Sequence, residues 1–193
     1  MLPMLLKELG GIEFSLCGFL YQADHTQCFA QICIKIAKGA KGRIIFDKNN
    51  FLHSSCARQA PRVKELFDAE CEIRLVRPPH GGFSVMHVKT LIIDDKILLT
   101  GSVNMTHNGL EHNKEHLYRI TETSTVADVL ADFEAQWEPA EQVTTLLIDQ
   151  MMNNWQQRGE KGRENRERSA SLGVCRSLSR ELEGTGELGH SSS

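Results

Sequence analysis

Residues 87–104 of the chain read HVKTLIIDDKILLTGSVN, and this stretch decides the predicted fold. Two runs rich in β-branched and other apolar residues, Val88–Ile93 and Ile97–Thr100, are joined by the polar residues 94–96. Such runs on either side of a short polar turn are typical of a β-hairpin. We therefore expect two antiparallel strands that bring residues 87–89 and 102–104 together.

Four polar side chains flank this hairpin. Residues two apart on a strand project from the same face, about 6 to 7 Å apart. His87 and Lys89 have this spacing, and so do Ser102 and Asn104. The hairpin would collect an imidazole, an ammonium, a hydroxyl and a carboxamide, all of which can donate hydrogen bonds. Because the non-bridging oxygens of a phosphate only accept, the cluster predicts a phosphate site.

The residues before the hairpin alternate between strand and helix patterns. The predicted elements are a strand at Ile12–Tyr21, a helix at His25–Lys38, a strand at Arg43–Phe46, a helix at Pro61–Ala69 and a strand at Glu72–Val76. The polar stretch 47–60, rich in Asn and Ser, has no predicted element. This alternation favours an α/β fold, a mixed β-sheet flanked by helices.

The residues after the hairpin predict a strand at His116–Ile120, an amphipathic helix at Thr123–Trp137 and a further helix at Val143–Trp155. Beyond Arg158 the chain is mostly Arg, Glu, Ser and Gly, which cannot bury a core. We therefore expect one folded domain at 1–157 and a disordered polar tail at 158–193. No internal repeat is visible.

Composition and charge narrow the class of protein. With 193 residues, 40% of them hydrophobic and 24% charged, the chain resembles an ordinary globular domain. No apolar run reaches the roughly 20 residues of a membrane span, and residues 1–6 are too short for a signal peptide. The net charge is -3, yet Lys35–Arg77 has ten basic against five acidic residues. This basic half could face a phosphate backbone, but solvated helix faces are the favoured interpretation.

The six cysteines form no CxxC pair and do not fall beside histidines at zinc-ligand spacing. We expect them to be reduced thiols, several of them buried, in a cytoplasm-like compartment. A mitochondrial association stays open. No metal site and no cofactor is expected.

The spacing His87-x-Lys89-x4-Asp94-x6-Gly101-Ser102-x-Asn104 resembles the HKD signature of the phospholipase D superfamily. With Asn113-Lys114-Glu115 before the next strand, it is similar to the short members that carry one motif per chain. These include small bacterial endonucleases and mitochondrial cardiolipin hydrolases. The mitochondrial group carries an N-terminal membrane anchor and a small zinc-finger insertion, and neither is visible in this sequence.

The resemblance implies a role for each motif residue. The implied catalytic positions are His87, Lys89, Asp94 and Glu115, and the implied phosphate-binding positions are Lys89, Ser102 and Asn104. His87 would attack phosphorus to form a phosphohistidine, and a neutral imidazole is available near pH 7 because its ordinary pKa is about 6.5. The donors would hold the oxygens that gain charge, each worth about 3 kcal/mol of barrier.

Two of these residues have special positions. Glu115 would hydrogen-bond a ring nitrogen of the nucleophile and fix its tautomer, as in the family. Asp94 lies in the turn at the far end of the strand from His87, so we expect it to act in the hairpin more than in the chemistry. Long members of the superfamily contain two motifs, and this chain contains one.

A second histidine must protonate the leaving group, so the resemblance implies a homodimer that shares one active site. The substrate is a nucleic acid, as for an endonuclease, or a phosphatidyl lipid such as cardiolipin. A non-catalytic phosphate-binding module is the third interpretation.

We expect His107, His112 and His116 to be loop or strand residues and not ligands. His80 could line the entrance to the site, but a position in a surface loop is the favoured interpretation. Phe83 and Met86 would contact an apolar part of the substrate, and packing in the core explains them equally well.

Overall fold

The computed structural model describes residues 1–77, 84–161 and 163. Residues 1–155 form one compact unit. Its strands are β1 (Ser15–Leu20), β2 (Lys41–Asp47), β3 (Glu72–Val76), β4 (Thr90–Ile93), β5 (Ile97–Gly101), β6 (Leu117–Ile120) and β7 (Glu141–Gln142). Its helices are α1 (Leu2–Gly10), α2 (Thr26–Ala37), α3 (Lys48–Leu52), α4 (Ala60–Asp68), α5 (Thr123–Trp137) and α6, which begins at residue 145.

A second unit begins at Gln156, and its described residues, 156–161 and 163, are helical. The predicted tail at 158–193 otherwise lies outside the described residues. None of the helices in the described part of the chain is long and apolar enough to cross a membrane.

The seven strands form one mixed sheet in the order β6-β5-β4-β1-β2-β3-β7. β1, β2 and β3 are parallel, while β4 pairs antiparallel with β1 and with β5. The α/β prediction with a mixed sheet is therefore confirmed. Parallel strands need crossover connections, and α2 and α4 supply them between β1, β2 and β3.

Two apolar layers cover the sheet. Helices α1, α2 and α4 contribute side chains such as Leu9, Phe29 and Leu66 to the larger layer. On the opposite face α5 buries Phe133 and Trp137 against Phe19 of β1. The bidentate pair of Arg43 with Glu134 further joins β2 to α5. Both faces are covered, which explains why residues 16–20 of β1 and the apolar run 44–46 of β2 are buried without alternation.

Most predicted elements are observed within a few residues of their predicted bounds, and α5 and β3 match them. Three helical segments of the described chain were not predicted. The first is α1, whose Leu5 and Leu9 are buried against the sheet. The second lies in the polar stretch 47–60, where α3 is followed by a 3-10 helix at Ser54–Gln59. The third is the short π-helix at Asn108–His112.

The hairpin between β4 and β5 turns through Asp94 and Asp95, both with positive φ of 52° and 54°. Two consecutive left-handed residues characterise the type I′ turn, whose twist matches that of paired strands. Asp94 also reaches beyond the hairpin, because its carboxylate accepts backbone N–H groups of residues 13–15 at 2.7 to 3.0 Å. It therefore ties the turn to the start of β1, consistent with its expected structural role.

Replacing Asp94 by Asn should lower the free energy of unfolding by about 1 to 3 kcal/mol at pH 7, because charge-assisted hydrogen bonds are lost. Partial burial raises the pKa of Asp94, but the three backbone donors outweigh it and the pKa lies below its ordinary value. This stabilisation is present above the unfolded pKa of about 3.9 and is lost as pH falls through the folded pKa. The measurement is urea unfolding at pH 7 and pH 3.

The control is Asp95→Asn, which changes the exposed neighbour with the same backbone conformation. We expect a small effect from this substitution. Equal losses in the two variants would assign the effect to the turn conformation instead of the Asp94 carboxylate.

Candidate active site

The two halves of the motif leave the sheet at one edge. β4 begins at Thr90, opposite Thr100 of β5, so His87 and Lys89 precede one strand while Ser102 and Asn104 follow the other. The prediction that β4 begins at Val88 is wrong. The reason is that β1 pairs with β4 only as far as Phe19 opposite Thr90, which leaves residues 87–89 without a neighbouring strand.

His87 and Lys89 consequently differ in burial instead of sharing one strand face. The His87 side chain is exposed, whereas Lys89 is 8% exposed. Both nevertheless lie against the ring of Tyr21, just beyond the end of β1. The His87 ring meets it edge-on with centroids 4.5 Å apart, and the Lys89 Nζ lies 4.9 Å from its centroid. Tyr21 therefore holds the imidazole and the ammonium next to each other.

Hydrogen bonds from β2 and α3 hold this arrangement. Asp47 is fully buried at the end of β2, and its carboxylate accepts the backbone N–H of Met86 and that of Asn50, each at 2.7 Å. The Asn50 side chain in turn donates to the carbonyl of Tyr21. The Asp47 carboxylate thus fixes the backbone directly before His87. Through Asn50 it also fixes the backbone of Tyr21, whose ring contacts His87 and Lys89.

Burial changes the electrostatics of the pair. Desolvation lowers the pKa of Lys89 to about 8, which the nearby Glu115 carboxylate partly opposes. Its Nζ donates to the His87 carbonyl at 2.8 Å. The pKa of His87 lies below its ordinary value, first because of desolvation and second because of the Lys89 charge. At neutral pH the imidazole is therefore mostly unprotonated and able to act as a nucleophile.

Ser102 and Glu115 form the other side of the site. The Ser102 hydroxyl donates to one oxygen of Glu115, while Asn113 donates to the other at 3.3 Å. These two hydrogen bonds are the main reason why the pKa of Glu115 lies below its ordinary value. A side chain at Gly101 would overlap the His116 carbonyl, so glycine allows this close approach. Although Glu115 is the expected partner of the His87 ring, no hydrogen bond joins these two described residues.

Asn104 and Asp94 complete the predicted set. Asn104 lies beyond β5, and its buried Oδ1 has no hydrogen-bond partner in the part of the chain that the structure describes. Asp94 lies at the opposite end of β4 from Lys89, where its bonds are to the start of β1. The arrangement therefore brings Lys89, Glu115, Ser102 and the His87 ring to one edge, and it separates Asp94 from them.

A second cluster ties the loop after Asn104 to α2. His25 is fully buried, and its Nε2 lies 2.9 Å from an oxygen of Glu111, which also lies 3.3 Å from Nδ1 of His107. Within the described ranges, these three side chains are the group whose spacing suits a metal ion. However, the Cys28 N–H donates to Nδ1 of His25, so Nε2 carries the proton that Glu111 accepts. We interpret the cluster as a structural hydrogen-bond network, in line with the expectation that His107 is not a ligand.

The other residues that the sequence singled out are buried in the core or exposed on the surface, where the structure describes them. Met86 is buried in the smaller apolar layer, and His116 stacks on Tyr118 of β6. His112 is exposed. His80 and Phe83 lie outside the described residues.

Two positioning residues, Tyr21 and Asp47, were missed by sequence reasoning. Tyr21 was assigned to the end of a strand, and Asp47 to the polar stretch after β2. Asp47 carried a usable signal, because an Asp directly before a helical segment is a preferred N-cap. No local sequence pattern predicts the contacts of Tyr21 with His87 and Lys89, because these residues are far apart along the chain.

Residues 12–137 match a family model described as "Cardiolipin synthase, PLD-like domain". The chain belongs to the phospholipase D-like family. The resemblance stated from the motif is thereby confirmed. The matched range begins before β1 and ends with α5, so it contains the complete site of this phospholipase D-like chain.

Mitochondrial cardiolipin hydrolases are similar in sequence. The protein from Mus musculus is 40% identical over 137 residues, which is 71% of this phospholipase D-like chain and 58% of that protein. The protein from Homo sapiens is 26% identical over 71% of this chain and 51% of its own length. The chain thus spans about half to three fifths of the length of these relatives.

Solved structures share the phospholipase D-like fold. Nuc from Salmonella typhimurium, described as a phospholipase D family member, has a TM-score of 0.66 at 15% identity. NucT from Helicobacter pylori has the same TM-score at 22% identity. Each similarity covers 74% of this chain and 90% of the other.

Replacing Lys89 by Gln should raise the pKa of His87, because it removes the positive charge that disfavours protonation. The pKa should stay below the ordinary value of about 6.5, since desolvation is the larger cause. NMR titration of the His87 ring resonances measures the change. Lys96→Gln, a substitution in the turn at the other end of the hairpin, should leave the pKa unchanged. A pKa of His87 that does not respond to Lys89→Gln would contradict the proximity of the two groups.

Proposed function

We propose that this chain is a metal-independent phosphodiesterase that acts through a phosphohistidine on His87, and that its substrate is a nucleic acid cleaved internally. The observation that carries the proposal is the exposed His87 imidazole, held by Tyr21 beside a buried Lys89 ammonium. An accessible, unprotonated nitrogen next to a desolvated cation suits attack on an anionic phosphodiester.

The proposed reaction has two displacements. A ring nitrogen of His87 forms a bond to phosphorus, and the bond from phosphorus to the leaving oxygen breaks as that oxygen receives a proton. Water then attacks phosphorus and loses a proton to a base, and the bond to His87 breaks. The products are an alcohol and a phosphate monoester. No electron transfer occurs, and the proton given in the first step is recovered in the second.

Cation and hydrogen-bond donors would stabilise the charge that develops on the phosphate oxygens. Lys89 is suited to this role because a cation in a desolvated site interacts strongly with an anion. We assign Ser102 and the Asn104 amide to the same oxygens, as the motif implies. Glu115 would keep Ser102 oriented through their hydrogen bond, and Asp94 would act structurally through β1.

The proton for the leaving group would come from the partner's His87 in a homodimer, since the negative charge of a bound phosphodiester favours the protonated form of one of the two imidazoles. The apolar side chains beside the nucleophile support an interface there. Val85 is 40% exposed and Val88 is 41% exposed, on either side of His87. Two copies meeting about a two-fold axis at this face would cover these valines and bring the two imidazoles to one phosphate.

A phosphatidyl lipid is the second candidate substrate. It is favoured by the relatives named mitochondrial cardiolipin hydrolase, of which one is 40% identical. A mitochondrial association of this chain belongs to the same proposal. Two observations support a nucleic acid as the substrate. Basic residues outnumber acidic ones within residues 35–77, and polar side chains line a cavity next to Asn104 of the motif.

Replacing His87 by Asn should lower turnover at least about a thousandfold, because the covalent intermediate cannot form. The assay uses labelled single-stranded oligonucleotide and cardiolipin vesicles in parallel, with EDTA present. Wild type should remain active in EDTA, and His112→Asn, an exposed histidine of the neighbouring loop, should remain active as well. Loss of wild-type turnover in EDTA would refute the metal-free mechanism. Phosphate binding by a wild type that cleaves neither substrate would favour a binding module.

Replacing Val88 by Lys should convert a dimer to a monomer and abolish turnover together, since the charge would be buried at the interface. Light scattering coupled to size exclusion gives the mass, and the oligonucleotide assay gives the activity. Leu146→Lys introduces the same charge at an exposed leucine of α6 and should change neither. A fully active monomer would refute the shared active site.

A further inference from the structure

A polar cavity of about 280 Å³ adjoins the motif. Its lining includes Asn104 of the motif and Asn113, which donates to Glu115. Amide and hydroxyl side chains dominate the lining: Gln22, Gln59, Asn104, Thr106, Asn108 and Asn113. The cavity therefore shares a wall with the proposed phosphate site and offers many hydrogen-bonding groups.

Gln59 is the unusual member of this lining. Its side chain belongs to a residue that is 2% exposed, and neither its Nε2 nor its Oε1 has a hydrogen-bond partner among the described residues. Burying an unsatisfied carboxamide costs stability, and such groups are rare in folded proteins. Gln59 also occupies the N-cap position of α4 without capping it. Neither helix capping nor hydrogen bonding within the described residues accounts for this buried carboxamide.

Asn104 presents a matching feature. Its Oδ1 is likewise buried and unpartnered, and the residue lines the same cavity. If the Asn104 amide nitrogen faces the phosphate, this oxygen remains available for a donor on the substrate. Among the described residues that line the cavity, the buried atoms without a partner are therefore one donor and two acceptors.

We propose that this cavity binds the edge of an unpaired nucleobase next to the scissile phosphate, with Gln59 making a bidentate contact. The inference rests on the proposed phosphodiesterase function and names its substrate class. A carboxamide pairs with adjacent donor and acceptor atoms on a base, as Gln does with adenine. Such an edge is accessible in a single strand, where a base can leave the stack.

The rest of the lining favours this ligand over a lipid. Arg58 is exposed and contributes to the cavity, so its guanidinium can contact the phosphate of a neighbouring nucleotide. An acyl chain would need apolar walls, whereas the side chains of this cavity are mostly polar. A glycerol hydroxyl has a single oxygen, so it cannot offer the separate donor and acceptor atoms with which a base edge pairs with the Gln59 carboxamide.

The test compares Gln59→Leu with wild type on three substrates: a single-stranded oligonucleotide, bis(p-nitrophenyl) phosphate, which has no nucleobase, and cardiolipin vesicles. We expect kcat/KM for the oligonucleotide to fall roughly tenfold to a hundredfold, with the base-free diester unaffected. Gln27→Leu, the same substitution on the exposed surface of α2, should have no effect on any substrate. The melting temperature of Gln59→Leu should be equal to or above that of wild type, because an unsatisfied polar group is removed.

Three results would overturn the inference: equal losses on the oligonucleotide and the base-free diester, no loss on the oligonucleotide, or a loss confined to vesicles. Failure of the proposed function is a different result, in which wild type cleaves none of the three. In that case, oligonucleotide binding to His87→Asn and to His87→Asn with Gln59→Leu, measured by fluorescence anisotropy, decides the inference. Weaker binding by the double variant supports it, and equal binding or absence of binding refutes it.

Discussion

The antiparallel register of β4 and β5 is the constraint on which the site depends. Because Thr90 lies opposite Thr100, the residues before β4 and after β5 leave the sheet together. The parallel strands β1 and β2 end at the same edge, and they supply Tyr21 and Asp47 there. The turn between β4 and β5 fixes this register, because its type and length, with Asp94 and Asp95 both at positive φ, determine which residues of the two strands are opposite each other.

The same edge combines groups that oppose the stability of the protein with groups that support it. Asp47 has its buried carboxylate occupied by two backbone donors, which is favourable. The Lys89 ammonium is buried, and among the described residues it contacts the His87 carbonyl and the Tyr21 ring. Its pKa is lowered because burial of the charged form is unfavourable. A bound anion would offset that cost. A strongly shifted pKa beside an exposed imidazole is typical of functional sites, and it supports the phosphate site that we propose.

The sequence allowed the sheet, its helices and the motif to be predicted because these depend on local patterns. Alternation predicted β3, helical spacing predicted α5, and fixed spacing identified the family. The start of β4 was placed two residues early, since the end of a strand depends on where its neighbour ends. Contacts between distant segments were equally inaccessible: Tyr21 beneath residues 87–89, and His25 joined to Glu111.

The two outer strands of the sheet are short. β6 has four residues and β7 has two, and β6 carries the exposed Tyr118 and Arg119. Short edge strands with bulky or charged side chains present few unpaired backbone N–H and C=O groups with which a strand of another molecule can pair. Continuous intermolecular sheets and their fibrous aggregates are therefore disfavoured, and self-association is left to side-chain surfaces.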